Sequence, residues 1–277
     1  MKILILFLIG LFFYNRALVS MSILEAINIW YKNLFPSIFP VLILCDLIVS
    51  FNVFGFLIKY LGNIFRKLFN INKYGLLVFI VSLLCGTPSN MVLARNLYDK
   101  NLLTEDDINK LIPLCLFFNP IFVITFTNTK VFIILTISTI LSSLIFRGKK
   151  VQIINDSSNY KNEFNLSKSI EKSMHTLFNI LGTVALFMVL SNIIVIKKPT
   201  VSCILGGFFE LTTGLYKTNL FFKGNNYLYL LFLSFGGLSI ITQINNVLES
   251  IKINYSKLLI QRLIVFIISV LICILTK

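Results

Sequence analysis

Two polar stretches interrupt the apolar runs of this chain, and both carry groups that bind ions. GGFFELTTG, residues 206–214, places a carboxylate, Glu210, among glycines and hydroxyls. GTPSN supplies Gly86, Thr87, Pro88, Ser89 and Asn90, a turn with backbone donors, two hydroxyls and an amide where a helix begins. A carboxylate deep in a bilayer costs roughly 2.5–3.5 kcal/mol on insertion scales, so it is set against protein or water and given partners. The sequence offers Glu210 the hydroxyls of Thr212 and Thr213, the backbone donors of Gly206 and Gly207, and Ser239, Thr242 and Gln243 from a later stretch. Protonated, such a group carries a proton; ionised, it holds a cation or completes a structural pair, and the sequence leaves these roles open. The GTPSN turn suits an anion at a helix N-terminus, and equally reads as an ordinary capped turn. Asp46, in VLILCDLIVSF, is a second acid in an apolar run: an ion or proton site, or an interfacial cap or salt bridge.

The elements that position these groups follow from composition. With 57% hydrophobic residues, 13% charged residues and a mean hydropathy of +0.88, the chain reads as a polytopic membrane protein. Its net charge of +14 is a topological signal and not a nucleic-acid patch, because the Lys and Arg residues lie between apolar runs with no aromatic interleaving. The five cysteines show no CxxC spacing and indicate neither a disulfide framework nor a zinc site. No HExxH, GxSxG or Walker loop is present, so the expectation is a non-enzyme without cofactor or metal, and ATP-driven movement would need a partner membrane subunit. His175 reads as interfacial.

Complete spans are expected near 3–20, 34–52, 131–146, 174–196 and 256–276, the first as an uncleaved helix. Residues 53–72 read as an interfacial amphipathic helix. Between them lie apolar segments too short to cross. YGLLVFIVSLLCG with TPSN and MVLARNLYDK predicts a re-entrant hairpin, and Ile108 to Asn128 predicts a helix broken at Asn119-Pro120. TEDD at 104–107 supplies its N-cap. The second half repeats this order, with a short hairpin around Glu210 and a helix broken at Gly236-Gly237. The expected fold is all-α: an inverted-repeat helical bundle with two re-entrant hairpins and two broken helices. Its parts are an N-terminal membrane helix (1–21), a first repeat (22–146), a cytoplasmic linker (147–173) and a second repeat (174–277). Most of the 25 Lys and Arg residues, Lys2 and Arg262 among them, then fall on the linker side. Matching Gly/Pro-interrupted segments in two halves point to a transporter-type site at the midplane.

These motifs in order, LFPSIFPVLILCDLIVSF, CGTPSNMVLARNLYDKNLLTEDDINKL, FFNPIFVI, GGFFELTTG and SFGGLSIITQINNVL, resemble the stage V sporulation protein V family of integral membrane proteins, within the nucleoside-recognition or Gate superfamily. The resemblance covers about residues 22–277. It implies a multi-pass permease in a membrane surrounding the developing spore of an endospore-forming bacterium, moving a small anionic metabolite such as dipicolinic acid. The charge pattern already argues against a nucleic-acid partner; beyond the lipid bilayer and the solute, a homo-oligomer or a further membrane subunit stands open. Glu210, Thr212, Gly214, Gly236, Gly237, Ser239 and Gln243 meet the family's second-half pattern. The first half departs from it: Asn90, Met91 and Val92 stand in place of Gly-Ala-Lys, and Leu116-Phe117 in place of two amides. The alternative to a permease is therefore a non-transporting membrane scaffold required for spore assembly.

Overall fold

The structure, a computed structural model, describes residues 6, 10–51, 53, 55–148, 164–193 and 198–276. Lys2 and most of the linker, 149–163, lie outside the described residues, as do 1–5 and 7–9. Among the described residues every regular element is a helix. Among the described residues four helices are long and apolar enough to cross a membrane: Arg16–Ile48, Leu166–Ile193, Asn226–Val247 and Tyr255–Leu275.

The first of these corrects the expected division into spans 3–20 and 34–52. Helix α1 (Arg16–Ile29) passes through a wider π-helical stretch, Trp30–Leu34, into α2 (Phe35–Ser50), and helical bonds run upstream through Val19–Asn15 and Asn15–Leu11. No helix end falls at residue 21. The π stretch precedes Pro36, which has no N–H to donate into the preceding turn, and the local widening lets the rod continue.

The following elements are α3 (Gly55–Phe69), α4 (Gly75–Cys85), α5 (Ser89–Asp99), α6 (Glu105–Leu114), α7 (Pro120–Phe126) and α8 (Thr129–Ile145). After the linker come α9 (Leu166–Ile193), α10 (Pro199–Phe209), α11 (Leu211–Phe221), α12 (Asn226–Phe235), α13 (Gly237–Val247) and α14 (Tyr255–Leu275). Side chains in the sequence set many of the starts. Thr104 forms a capping box with Asp107 at α6, and Asn119, Asn128, Asn225 and Asn254 accept from first-turn amides of α7, α8, α12 and α14. Helix α3 is amphipathic as expected: Ile58, Gly62, Phe65 and Phe69 are buried, while Phe56, Tyr60, Ile64 and Leu68 are exposed.

Packing follows membrane rules. On α8 the buried face runs from Val131, Ile134 and Leu135 to the small polar Ser138, Thr139, Ser142 and Ser143, and the exposed face is Ile133, Ile137, Leu141 and Ile145. Helix α14 mirrors it, exposing Leu259, Leu263, Ile267 and Leu271 while burying Gln261, Ser269 and Cys273. Small and polar residues between helices with large apolar ones outside is the arrangement that lipid favours. The seam is bonded, Gln261 Nε2 donating to Ser143 Oγ at 2.9 Å.

Packing partners are reciprocal between the halves. Helix α6 lies on α14 and α12 lies on α8; α5 lies on α13 and α11 lies on α7; α2 meets α9 and α8 meets α14. One end of the bundle gathers Asn70 with Gly148, Asn109 with Lys252, and Phe51 with Phe164. The other gathers Asn128 with Asn226, Lys130 with Thr276, and Ser22 with Asn192.

Two placements depend on packing. The sulfurs of Cys45 and Cys85 meet where α2 packs on α4, and Cys115, Cys203 and Cys273 are free and buried. Arg262, counted with the linker-side charges, is only 1% exposed, because its position on α14 faces the broken helices.

Candidate functional site: a cavity between two hairpin tips and two broken helices

Each hairpin turns inside the bundle, and each tip meets the broken helix of its own half. In the first, α4 ends at Gly86 with φ +74°, and the Thr87 amide donates to Phe117 O at 2.7 Å. A Cβ on Gly86 would stand 2.5 Å from the Asn119 nitrogen, so glycine is required both for the positive φ and for the close approach. Asn90 Nδ2 donates to Cys115 O at 2.5 Å, and Thr87 Oγ1 reaches the same carbonyl at 3.4 Å. The extended residues between α6 and α7 thus find their backbone partners on the first tip, as buried irregular backbone must. Asn119 Oδ1 caps α7, accepting from Ile121 at 2.9 Å, with Pro120 at its first position; its Nδ2 donates to Ser37 O at 3.2 Å.

In the second half Glu210 is the residue between α10 and α11. Its backbone is extended and its carboxylate caps α11, accepting from the Thr213 amide at 2.6 Å and from the Thr212 hydroxyl. Only 2% of it is exposed. The carboxyl group sits at the positive end of a helix, which offsets part of the cost of burying it when ionised. Two of the other partners expected from sequence bond elsewhere: Thr242 Oγ1 donates to Leu238 O at 2.9 Å and Gln243 Nε2 donates to Thr183 Oγ1 at 2.9 Å, while the Glu210 amide donates to the Gly206 carbonyl. The break between α12 and α13 is two left-handed glycines. Gly237 lies against the second tip, where a Cβ would stand 2.9 Å from Gly207 O, and Gly236 lies under the Phe118 ring of the first half. Phe232 packs over Gly207, whose lack of a Cβ admits the ring.

Six of the residues singled out by sequence line one cavity: Thr87, Pro88, Asn119, Glu210, Thr212 and Gln243. Its space open to water centres is ≈ 40 Å³, room for roughly three waters. The rest of the wall is apolar and includes Leu34, Ile38, Phe118, Phe122, Ile180 and Val184. Sequence reasoning missed these apolar residues, since a Leu or Phe in an apolar run signals nothing by type. Gly86, Gly236 and Gly237 contribute close backbone approach, Pro120 starts α7, and Asn90 is committed to Cys115 O. Ser89 Oγ, Thr213 Oγ1, Ser234 Oγ, Ser239 Oγ and Asn90 Oδ1 are buried at the tips and the second break with no hydrogen-bond partner, a concentration of polar capacity that an apolar core would not retain.

Asp46 does not join this cavity. It lies near the linker-bearing end, where its Oδ2 accepts from Ser169 Oγ at 2.9 Å and its Oδ1 is 3.6 Å from Lys172 Nζ. Asp46 thus pairs with Lys172, because α9 packs along α2 and carries Lys172 to it.

A larger recess of ≈ 600 Å³ opens between α5, α9 and α13, bordered by Arg95, Lys168, Glu171, Lys172, His175 and Asn246. It shares Pro88, Ile180 and Gln243 with the cavity, so these three separate the two spaces. His175 is exposed in its wall, 3.3 Å from Asn179. Among the described residues no cluster of three His, Cys, Asp or Glu side chains could hold a metal.

In comparisons with family models, curated proteins and solved structures, nothing matches this chain.

Proposed function

We propose that the chain is a secondary permease for a small anionic solute, built from two inverted repeats whose hairpins re-enter the membrane and meet at its middle. The observation that carries this reading is the shared cavity, which brings Thr87, Pro88 and Asn119 of the first half to Glu210, Thr212 and Gln243 of the second. Convergence of interrupted elements on polar groups at mid-depth is how such carriers hold solutes. The inverted arrangement is supported by end contacts: α8 starts at Asn128 beside Asn226, while α14 starts at Asn254 beside Asn109 at the opposite end. Reciprocal packing of α5 on α13 and α11 on α7 supports a two-fold relation between the halves. Glu210 is the carboxylate on the cavity, and its protonation would let a proton accompany the solute. The recess with Arg95, Lys168, Lys172 and His175 supplies a polar, basic approach that favours anions. By the resemblance of its ordered motifs, the solute would be an aromatic dicarboxylate such as dipicolinate and the membrane one that surrounds a developing spore.

The test is uptake of labelled dipicolinate into proteoliposomes, with empty vesicles as the control. Glu210→Gln is expected to reduce flux by about tenfold or more, since a hydrogen bond to a charged group is worth ~1.5–3 kcal/mol. A wild-type protein without flux, or flux unchanged in both Glu210→Gln and Ser239→Ala, rejects the site. The scaffold reading then stands, favoured by Asn90 being held to the backbone and by the cavity's small volume.

A further inference from the structure

Arg262 is the largest fully buried side chain, and it has no acidic partner among the described residues. Its partners are carbonyl oxygens from both halves. Nη1 donates to Pro113 O at 3.3 Å, Nη2 to Leu233 O at 3.3 Å, and Nε to Ser234 O. Pro113 lies in the last turn of α6, and Leu233 and Ser234 lie in the last turn of α12. These are the corresponding first pieces of the two broken helices.

Both helices stop there for local reasons. Helix α6 runs into the extended stretch before Asn119-Pro120, and α12 into the left-handed Gly236. The last carbonyls of a helix lack intrahelical donors, and each helix end carries about half a negative charge. Two such ends together match one guanidinium, whose planar fork of donors reaches both. A point cation of sodium or potassium size, ligated by carbonyls, would suit the same crossing, and unwound carriers commonly hold coupling ions at half-helix C-termini.

We propose that Arg262 is a resident cation, clamping the C-terminal ends of the broken helices of both halves and taking the place of an inorganic coupling ion at their crossing. The guanidinium takes one bond to each of the three carbonyls and fills the space between them that a diffusible ion would need, and its stem ties α6 and α12 to α14. The proposal rests on reading the broken helices as the carrier's solute-binding elements. It is tested without any solute, so it fails on melting data whereas that reading fails on flux.

The experiment is thermal melting of the purified full-length protein in detergent, followed by loss of its monodisperse chromatographic peak in sodium, potassium or choline chloride. The wild type is expected to melt at one temperature in all three salts. Arg262→Ala is expected to melt lower by roughly 10 °C, because a network holding one buried charge is broken. Millimolar guanidinium is expected to restore most of that loss in the variant, with no effect on the wild type. Stabilisation of the wild type by sodium or potassium over choline would overturn the proposal, as would Arg262→Ala melting with no response to guanidinium. Should Arg262→Ala not be recovered from membranes, Arg262→Lys serves. A single ammonium cannot span three carbonyls, so melting equal to the wild type would overturn the clamp.

Discussion

The two hairpin tips do the same architectural job by different chemistry. The first tip, Gly86 to Asn90, is uncharged and is stitched to its broken helix by the bonds from Thr87 and Asn90 to the carbonyls of Phe117 and Cys115. The second tip carries Glu210, whose side-chain bonds stay within its own turn, and it meets its broken helix through glycine-to-backbone approach at Gly207 and Gly237. One tip is anchored by polar side chains; the other is held by shape, with its carboxylate bonded only within its own turn.

That contrast can be broken most severely at the glycines. Gly86→Ala is expected to destabilise the protein by more than ~3 kcal/mol, because the new Cβ meets backbone and the positive φ is strained for alanine. Detergent melting would show it as loss of folded protein, and a normal melt would mean the tip does not pack on Asn119 as described. Asn90→Ala is expected to cost about 1–3 kcal/mol, leaving the buried Cys115 carbonyl with a poorer partner. Glu210→Gln keeps the shape and an acceptor oxygen for the cap, and is expected to cost under about 1 kcal/mol in melting while reducing flux by about tenfold or more; equal stability losses at Asn90 and Glu210 would erase the distinction between the two tips. Asn119→Ala removes the cap of α7 and is expected to cost roughly 1 kcal/mol by the same melt. Asp46→Asn should change stability least, within about 0.5 kcal/mol, since its pair with Lys172 is long and partly exposed. A large effect there would bring Asp46 back into consideration as a functional acid.

Much of this was legible from residue types. Proline, paired glycines and Asn or Thr at helix starts act within a few residues, so the breaks at Asn119-Pro120 and Gly236-Gly237, the hairpin turns and the cap at Thr104 are visible in one dimension. Periodicity likewise marked α3, whose exposed and buried faces alternate at helical spacing. The continuous rod from α1 to α2 was harder to read, because length and apolarity alone do not say whether two adjacent runs are one helix or two. Arg262 left a signal that was misassigned: a single basic residue within the apolar run of α14 looks like a helix-end charge until its partners are known.

The sequence by itself determined an all-helical chain with apolar faces suited to lipid, two interrupted hairpins and an acid at the turn of one of them, since local backbone preference and burial of apolar surface depend on neighbours along the chain. Tertiary structure alone decided that Thr87, Asn119, Glu210 and Gln243 share a cavity, that Asp46 belongs to a salt bridge away from it, and that one arginine joins the broken helices. Those outcomes depend on which faces of distant segments meet. Such meetings are fixed by complementary shape and by the need of every buried carbonyl and charge for a partner.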